Sequence, residues 1–175
     1  PLTSLIPNKK YFFFSHTIKK QPYNRKLLQA ILDKNIELYD HETIVKENGA
    51  RLIGFGRYAG IVGAYNGFRA IGLTNKTFNL PKAENLDSQK ELIDELNKIN
   101  LPKIKILLTG NGKVAFGAKE MLDAMNIKEV SVDDYLNNDF NEAVYCLADV
   151  LDYNIRNDRQ VIKNRDLYNP PEKYD

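Results

Sequence analysis

A glycine-rich turn between a predicted strand and a predicted helix constrains this chain more than any other feature of its sequence. Residues 103–108 are mostly apolar and favour a strand, whereas residues 119–125 favour a helix. Between them, Gly110, Gly112 and Ala115 fit the spacing G-x-G-x-x-A. A strand, a glycine turn and a helix in this order form the site at which α/β proteins bind the pyrophosphate of a dinucleotide.

Each small residue of this motif has a role in such a site. Gly110 lets the chain turn tightly, Gly112 lets the backbone approach the phosphates, and Ala115 permits close packing of the helix on the strand. Lys113 lies inside the turn and is a candidate for a phosphate contact, although it fits a solvated surface lysine nearly as well. We therefore predict a nucleotide site, and a plain strand–helix turn is the alternative.

A carboxylate that accepts hydrogen bonds from a ribose is expected about 20 residues beyond such a turn. Residues 128–132 favour a second strand, which ends at Asp133 and Asp134. A carboxylate of this pair is therefore predicted to bind the ribose, and Asp133 is the one considered for cofactor preference. It favours NAD over NADP, because a carboxylate suits a free 2′-hydroxyl and repels a 2′-phosphate.

Strands and helices alternate along the whole chain, which predicts an α/β fold with a largely parallel sheet. Residues 11–14 are four consecutive aromatic residues, typical of a strand that is buried on both faces. A small hairpin is predicted around the turn at residues 47–50. The nucleotide half begins near Leu101. Further strands are predicted at residues 36–40 and 143–148, helices at 22–35, 58–71 and 88–100, and a polar end at 154–175.

Glycine is distributed unevenly, since seven of the ten glycines lie between Gly49 and Gly72. Within residues 58–71, small residues alternate with large apolar ones such as Ile61 and Phe68. Glycine costs a helix about 1 kcal/mol relative to alanine, so a helix here needs packing to hold it. The pattern predicts a helix that is pressed closely against another backbone, and a flexible glycine-rich loop is the alternative.

His16 directly follows the first predicted strand, at the carboxyl end where α/β proteins place their clefts. It is flanked by Ser15 and Thr17, and Lys19 lies close behind. This polar, cationic stretch suits an anionic substrate or a proton transfer near neutral pH. Alternatively, His16 caps the following helix or binds backbone, and the pattern favours neither reading. The other histidine, His41, lacks such neighbours and is predicted to be structural.

Composition excludes several classes of function. The net charge is only +2 and the charges are mixed, which argues against a nucleic-acid or membrane surface. The single cysteine, Cys146, excludes an internal disulfide framework and a multi-cysteine zinc site, and its apolar neighbours predict a buried, inert thiol. No metal-ligand spacing is present. A lone cysteine fits a reducing compartment, so a cytoplasmic location is expected.

Three ordered blocks, at residues 13–21, 51–64 and 108–118, resemble the lysine-forming saccharopine dehydrogenases and lysine–ketoglutarate reductases. This family belongs to the wider alanine dehydrogenase and transhydrogenase-like fold. The resemblance implies two Rossmann-like parallel-sheet domains with a cleft between them and NAD or NADP as the cofactor. It also implies hydride transfer between the nicotinamide and an amino-acid carbon, by way of an imine.

The resemblance assigns roles to individual residues. His16 matches the histidine that takes part in proton transfer beside the imine carbon, and Lys19 and Gln21 fall in the adjacent cleft-lining stretch. The expected cofactor ligands are the turn residues and the acid near the ribose position: Gly110, Asn111, Gly112, Lys113, Val114 and Asp133. No metal is implied.

The family pattern also implies how the chain is divided. Residues 1–56 would form the end of the first, substrate-binding and catalytic domain. Residues 57–100 would form inter-domain helices, and residues 101–175 an NAD(P)-binding domain. The family's catalytic lysine would precede Pro1 and the family continues beyond the Asn-Pro pair at residue 169, so both domains are expected to be incomplete. We expect a central fragment of a longer enzyme that is inactive in isolation.

Its expected partners are an amino-acid or keto-acid substrate and the remainder of a longer chain, and an oligomer is possible. Two alternative functions stay open at this point. One is an alanine dehydrogenase-like enzyme that acts on a small 2-amino acid. The other is a nucleotide-binding module that keeps the fold without turnover.

Overall fold

The computed structural model describes residues 2–155, so most of the polar segment predicted at 154–175 lies outside the described residues. The chain forms two compact units that divide between Phe55 and Gly56. The first unit contains β1 (Lys10–Phe13), α1 (Arg25–Asp33) and β2 (Glu37–Asp40). The second contains α2 (Gly56–Asn75), α3 (Gln89–Leu96), β3 (Lys105–Thr109), α4 (Lys113–Ala124), β4 (Lys128–Glu129), α5 (Val132–Asn137) and β5 (Val144–Ala148).

In the first unit, β1 and β2 pair in parallel, with Lys10 opposite Glu37 and Phe13 opposite Asp40. Helix α1 supplies the crossover that parallel neighbours require. The expectation that the aromatic strand is buried on both faces is wrong. Phe12 is 60% exposed and stacks on Tyr39 with ring centroids 4.6 Å apart, because the described sheet has only two strands here.

The predicted hairpin after β2 is present in a reduced form. A single antiparallel bridge joins Val45 to Arg51. Between them, Gly49 has a φ of +79°, a conformation that glycine adopts at no steric cost.

The second unit has a three-stranded parallel sheet in the order β3–β5–β4. Strand β5 is central, and Val144, Tyr145 and Cys146 in it are almost fully buried. Burial raises the pKa of the Cys146 thiol, which agrees with the predicted inert cysteine. Parallel pairing in both units confirms the α/β class.

The second predicted strand of the nucleotide half is much shorter than expected. It ends at Glu129, because Ser131 caps α5 by accepting a hydrogen bond from the Asp134 N–H at 3.0 Å. Asp133 therefore lies in the first turn of a helix and does not end a strand. In addition, β5 lies between β3 and β4 in the sheet. The strand next to the glycine-turn strand β3 is therefore β5, and β4 is not its neighbour.

The glycine-rich segment forms a helix, so the loop alternative is wrong. Its partner is the helix of the glycine motif. A Cβ atom added to Gly60 would lie 1.9 Å from the carbonyl oxygen of Val114, and one added to Gly117 would lie 2.0 Å from that of Arg57. Helices α2 and α4 therefore touch backbone to backbone, as the small-residue pattern predicts. Arg57 also donates two hydrogen bonds to Glu120, at 2.7 and 2.5 Å.

The core of the second unit joins α2, α3, α4 and β5. Its buried members are Ile61, Tyr65, Phe68, Leu80, Leu92, Leu96, Met121, Leu122, Ile127 and Tyr145. Within residues 2–155, no helix combines the length and apolar character needed to cross a membrane.

A polar cluster closes the edge of this core and makes a prediction about acid stability. The Tyr145 hydroxyl donates to Asp123 at 2.6 Å, and Lys119 donates to the same carboxylate at 3.0 Å. Burial alone raises the pKa of Asp123, but these hydrogen bonds and the charge of Lys119 outweigh it and lower the pKa. The folded state thus binds this proton less readily than the unfolded state, whose pKa is about 3.9.

We expect the free energy of unfolding to fall as the pH drops below about 4, in part because Asp123 is then protonated. Asp123→Asn should weaken that acid dependence, as measured by urea unfolding at pH values between about 2.5 and 6. Asp94→Asn is the control, because Asp94 pairs with Lys90 on the exposed surface of α3. An identical pH profile for Asp123→Asn and the wild type would contradict the prediction.

Candidate functional site

His16 follows β1 and caps the short 3₁₀ turn Thr17–Lys19. Its φ of +56° lies in the left-handed region, which few non-glycine residues occupy and which is often found at functional sites. The ring Nδ1 lies 3.0 Å from Oε2 of Glu42. The side chain of His16 is 48% exposed, so the ring is attached at one nitrogen and still reaches solvent.

Glu42 is a buried carboxylate, with only 3% of its side chain exposed, and it meets three basic groups. These are Nδ1 of His16, Nζ of Lys19 at 3.2 Å and a guanidinium nitrogen of Arg51 at 2.9 Å. Burial alone raises the pKa of Glu42, but hydrogen bonds from His16 and Lys19 and the charges of Lys19 and Arg51 hold it below its ordinary value. Glu42 is therefore ionised at neutral pH.

The ionised Glu42 determines which nitrogen of His16 is available. A carboxylate at Nδ1 favours the tautomer in which Nδ1 carries the proton. Glu42 is the nearer partner of Nδ1, at 3.0 Å, whereas Lys19 Nζ lies 3.3 Å from the same nitrogen and also pairs with Glu42 at 3.2 Å. Among the described residues, none forms a hydrogen bond with Nε2 of His16. The ring is half-exposed, and its Nε2 carries a free lone pair in this tautomer. Nε2 is therefore the atom that can accept a proton.

Ser15 and Asp40 hold the carboxyl ends of β1 and β2 together beneath this group. Asp40 accepts hydrogen bonds from the Ser15 hydroxyl, the Ser15 N–H and the Glu42 N–H, the last at 2.9 Å. Burial alone raises the pKa of Asp40, but these hydrogen bonds and the charge of His16 lower it. Asp40 accepts hydrogen bonds from the backbone N–H groups of Ser15, which precedes His16, and of Glu42. It therefore fixes the distance between the two segments that carry His16 and Glu42.

The sequence pattern points to His16 and Lys19 of this cluster but not to Asp40 and Glu42. A usable signal existed, because the carboxyl ends of adjacent parallel strands lie at the same edge of a sheet. Gln21 is not brought into the cluster, since it is exposed and accepts a hydrogen bond from the Tyr23 hydroxyl. Its predicted role in lining a cleft stays a prediction.

The glycine turn has the conformation that the motif requires. Gly110 has a φ of +92°, and Gly112 is the N-cap of α4. The first hydrogen bond of the helix runs from the Phe116 N–H to the Gly112 carbonyl, at 3.0 Å. The N–H groups of residues 113–115, in the first turn, therefore have no carbonyl partner within the helix. Cβ atoms added to Gly110 or Gly112 would meet no described atom within 4 Å. The turn therefore leaves room for a side-chain-sized group at both glycines, beside the positive end of a helix dipole, which favours an anion.

Two hydrogen bonds attach this turn to β5. The Gly110 N–H donates to the Ala148 carbonyl at 2.8 Å, and Asn111 Nδ2 donates to Asp149 Oδ2 at 2.7 Å. Lys113 and Val114, at the start of α4, are exposed beside the turn. Asp149 is not predictable from the sequence, because the motif alone does not show which strand lies next to β3.

Asp133 is not joined to the turn by any hydrogen bond among the described residues. It lies in the first turn of α5, which follows β4, and its Oδ1 accepts a hydrogen bond from Asn137 Nδ2 at 2.9 Å. Its assignment as the ribose ligand stays a prediction.

Comparison with known proteins gives no match to a protein-family model. The chain is 32% identical over 157 residues to the mitochondrial alpha-aminoadipic semialdehyde synthase of Bos taurus, covering 75% of this chain and 17% of that protein. It is 29% identical over 135 residues to the NAD(+), L-lysine-forming saccharopine dehydrogenase of Candida glabrata, covering 68% of this chain and 35% of that enzyme. The chain is homologous to the saccharopine dehydrogenase group.

This homology confirms the resemblance drawn from the three sequence blocks. An alpha-aminoadipic semialdehyde synthase of Arabidopsis thaliana is also similar, at 31% identity over 138 residues. The chain spans less than a fifth of the length of these semialdehyde synthases, 17% of the bovine protein and 13% of the Arabidopsis protein. The bovine name includes "mitochondrial", so the cytoplasmic location expected from composition stays a prediction.

Proposed function

We propose that this chain contributes the cofactor turn and a proton-transferring histidine to an NAD(P)-dependent amino-acid dehydrogenase of the saccharopine dehydrogenase type. The observation that carries the proposal is the β3–turn–α4 element, with an open glycine turn at a helix N-terminus, in a chain homologous to saccharopine dehydrogenases. The substrate would be an amino acid whose C–N bond is oxidised to an imine.

The residues of the turn fit a dinucleotide. Gly110 and Gly112 leave room for the pyrophosphate, and the N–H groups of the first turn of α4 would donate hydrogen bonds to it. Lys113 would add a positive charge beside it. When bound, the nicotinamide supplies the group that accepts or donates hydride.

His16 would move a proton at Nε2, on or off the reacting nitrogen or the attacking water. Glu42 would hold the ring through Nδ1, and Lys19 and Arg51 keep Glu42 ionised. Lys19 and Gln21 are the proposed substrate contacts in this unit. In a non-catalytic module, the ring nitrogens of His16 could be bound to backbone. The carboxylate partner and the half-exposed ring support the enzyme.

Gly112→Val tests the cofactor assignment. The backbone of Gly112 has a φ of −95° and a ψ of −178°, which valine adopts readily, and a Cβ added there meets no described atom within 4 Å. We therefore expect the variant to fold normally but to bind NADH at least about tenfold more weakly, because the side chain would occupy the space of the pyrophosphate. Fluorescence titration with NADH and NADPH measures both affinities.

Gly54→Val is the matched control, because an added Cβ at Gly54 also meets open space and lies in the other unit. It should bind NADH as the wild type does. Normal NADH and NADPH affinity in Gly112→Val would remove the turn from the site. Assays with saccharopine and with L-alanine then separate saccharopine dehydrogenase-like from alanine dehydrogenase-like activity.

A further inference from the structure

The strand next to the glycine-turn strand is β5, and its first following residue is Asp149. In parallel α/β sheets, ligands bind outside the carboxyl ends of neighbouring strands. The carboxyl ends of β3 and β5 are aligned, since Thr109 is opposite Ala148. Asp149 is therefore the acidic residue that directly follows the strand paired with the glycine-turn strand. Asp133 follows β4, which does not pair with β3.

Asp149 is itself held in place by its neighbours. Its Oδ1 accepts the Val150 N–H at 2.5 Å, and its own N–H donates to Asp152 Oδ2 at 2.6 Å. The other oxygen, Oδ2, accepts the hydrogen bond from Asn111 Nδ2 at 2.7 Å. A fixed carboxylate thus binds the one side chain that lies between the two glycines of the turn.

A turn with this composition needs such an attachment. Gly110 and Gly112 flank Asn111, and glycine has the largest conformational freedom of any residue in the unfolded or loosely held chain. The N–H groups of α4 bind an anion well only if the turn before them is already ordered, because ordering it on binding would cost entropy. The Asn111–Asp149 hydrogen bond provides that order in the absence of ligand.

We propose that Asp149 is a positioning residue of the dinucleotide site, which acts through Asn111 to hold the glycine turn in its binding conformation. This inference rests on the proposed function, because it assumes that the turn binds a dinucleotide. The hydrogen bond, and not the negative charge, is the useful property of Asp149, since a carboxylate close to a pyrophosphate opposes its binding. Conservative and non-conservative variants therefore separate the two properties.

The test measures dissociation constants of the full-length protein for NADH and for inorganic pyrophosphate. Asp149→Ala and Asn111→Ala should each weaken both ligands roughly tenfold, the usual value of a hydrogen bond to a charged group. The double variant should be no weaker than either single one, because both changes remove the same hydrogen bond. Asp149→Asn loses the charge but can keep the link to Asn111, because its amide NH2 can donate to the oxygen of Asn111 once the Asn111 amide turns over. It should therefore bind NADH at least as tightly as the wild type.

Asp139→Ala is the matched control, because Asp139 is an exposed acid of the same unit that lies beyond α5. It should leave both affinities unchanged. Three results would overturn the inference: a loss in Asp149→Asn as large as that in Asp149→Ala, a loss confined to NADH, or a loss in Asp133→Ala with Asp149→Ala unaffected.

The proposed function fails separately, and the wild type reports on it. If the wild-type protein binds neither NADH nor NADPH, both proposals fall. If the wild type binds NADH and every Asn111 and Asp149 variant binds it equally well, only the role of Asp149 is overturned.

Discussion

Gly60→Ala is expected to lower the free energy of unfolding by about 2–3 kcal/mol, the upper part of the usual range for overpacking a core. The added Cβ would lie 1.9 Å from the Val114 carbonyl oxygen and 2.7 Å from the Ala118 nitrogen. Both are backbone atoms of α4, so no side-chain rotation can relieve the contact. The two helices would have to separate, and the core between them would lose its packing.

The same helix offers a matched control. Gly63→Ala adds the same methyl group less than one turn further along α2, where it meets no described atom within 4 Å. Because alanine favours a helix over glycine by about 1 kcal/mol, this variant should be as stable as the wild type or more stable. Gly117→Ala, which makes the contact from the opposite helix, should be destabilised like Gly60→Ala.

Urea unfolding of the three variants measures these differences. Equal stability of Gly60→Ala and Gly63→Ala would show that the close contact between α2 and α4 does not form. The outcome also bears on the proposed cofactor site, because the atom that Gly60 approaches belongs to Val114 in the first turn of α4. A displaced α4 would no longer present its N–H groups as the wild type does.

Local pattern predicted most of the elements in this chain. The alternation of strands and helices, the glycine turn and the close-packed helix all depend on residues that are near one another in sequence, and the structure contains each of them. The order of strands in the second sheet could not be predicted in this way. The sequence of residues 128–132 predicts a strand that ends at Asp133 and Asp134, whereas Ser131 caps a helix there. Strand neighbours are set by tertiary packing, which the local pattern does not encode.

The candidate site was predictable to the same extent. The position of His16 after a strand leaves a role in chemistry and a capping role equally open, and the residue lies in a polar cluster at that strand end. The identity of its partner required the pairing of β1 with β2, because Glu42 is distant in sequence and becomes a neighbour only through the parallel register. Asn111 and Asp149 illustrate the same limit in the second unit.

The contact with Glu42 gives the proposed role of His16 a physical basis. A buried carboxylate at Nδ1 orients the ring and favours the tautomer with a free Nε2. These are the properties that a group alternately accepting and donating a proton requires. A histidine that only capped the Thr17–Lys19 turn would not need them, and its side chain forms no hydrogen bond to that turn's backbone.

We therefore expect His16→Ala in the full-length protein to reduce turnover of saccharopine by roughly 10²–10⁴-fold, the usual contribution of a positioned acid–base group. NADH affinity should not change, because the glycine turn lies in the other compact unit. Steady-state kinetics with NAD(+) and saccharopine, together with NADH titration, measure both quantities. The loss should appear in kcat, since a proton-transfer group acts mainly in the transition state.

His41→Ala is the matched control for this change. Both histidine rings lie near the ring of Phe14, with centroid distances of 5.2 Å for His41 and 6.2 Å for His16. Glu42, however, contacts His16. Removing either imidazole takes away similar packing against Phe14, whereas only His16→Ala removes the ring bound to the buried carboxylate. Turnover should therefore survive in His41→Ala. Equal losses in both variants, with lowered melting temperatures, would assign His16 to packing, and wild-type turnover in His16→Ala would exclude it from catalysis.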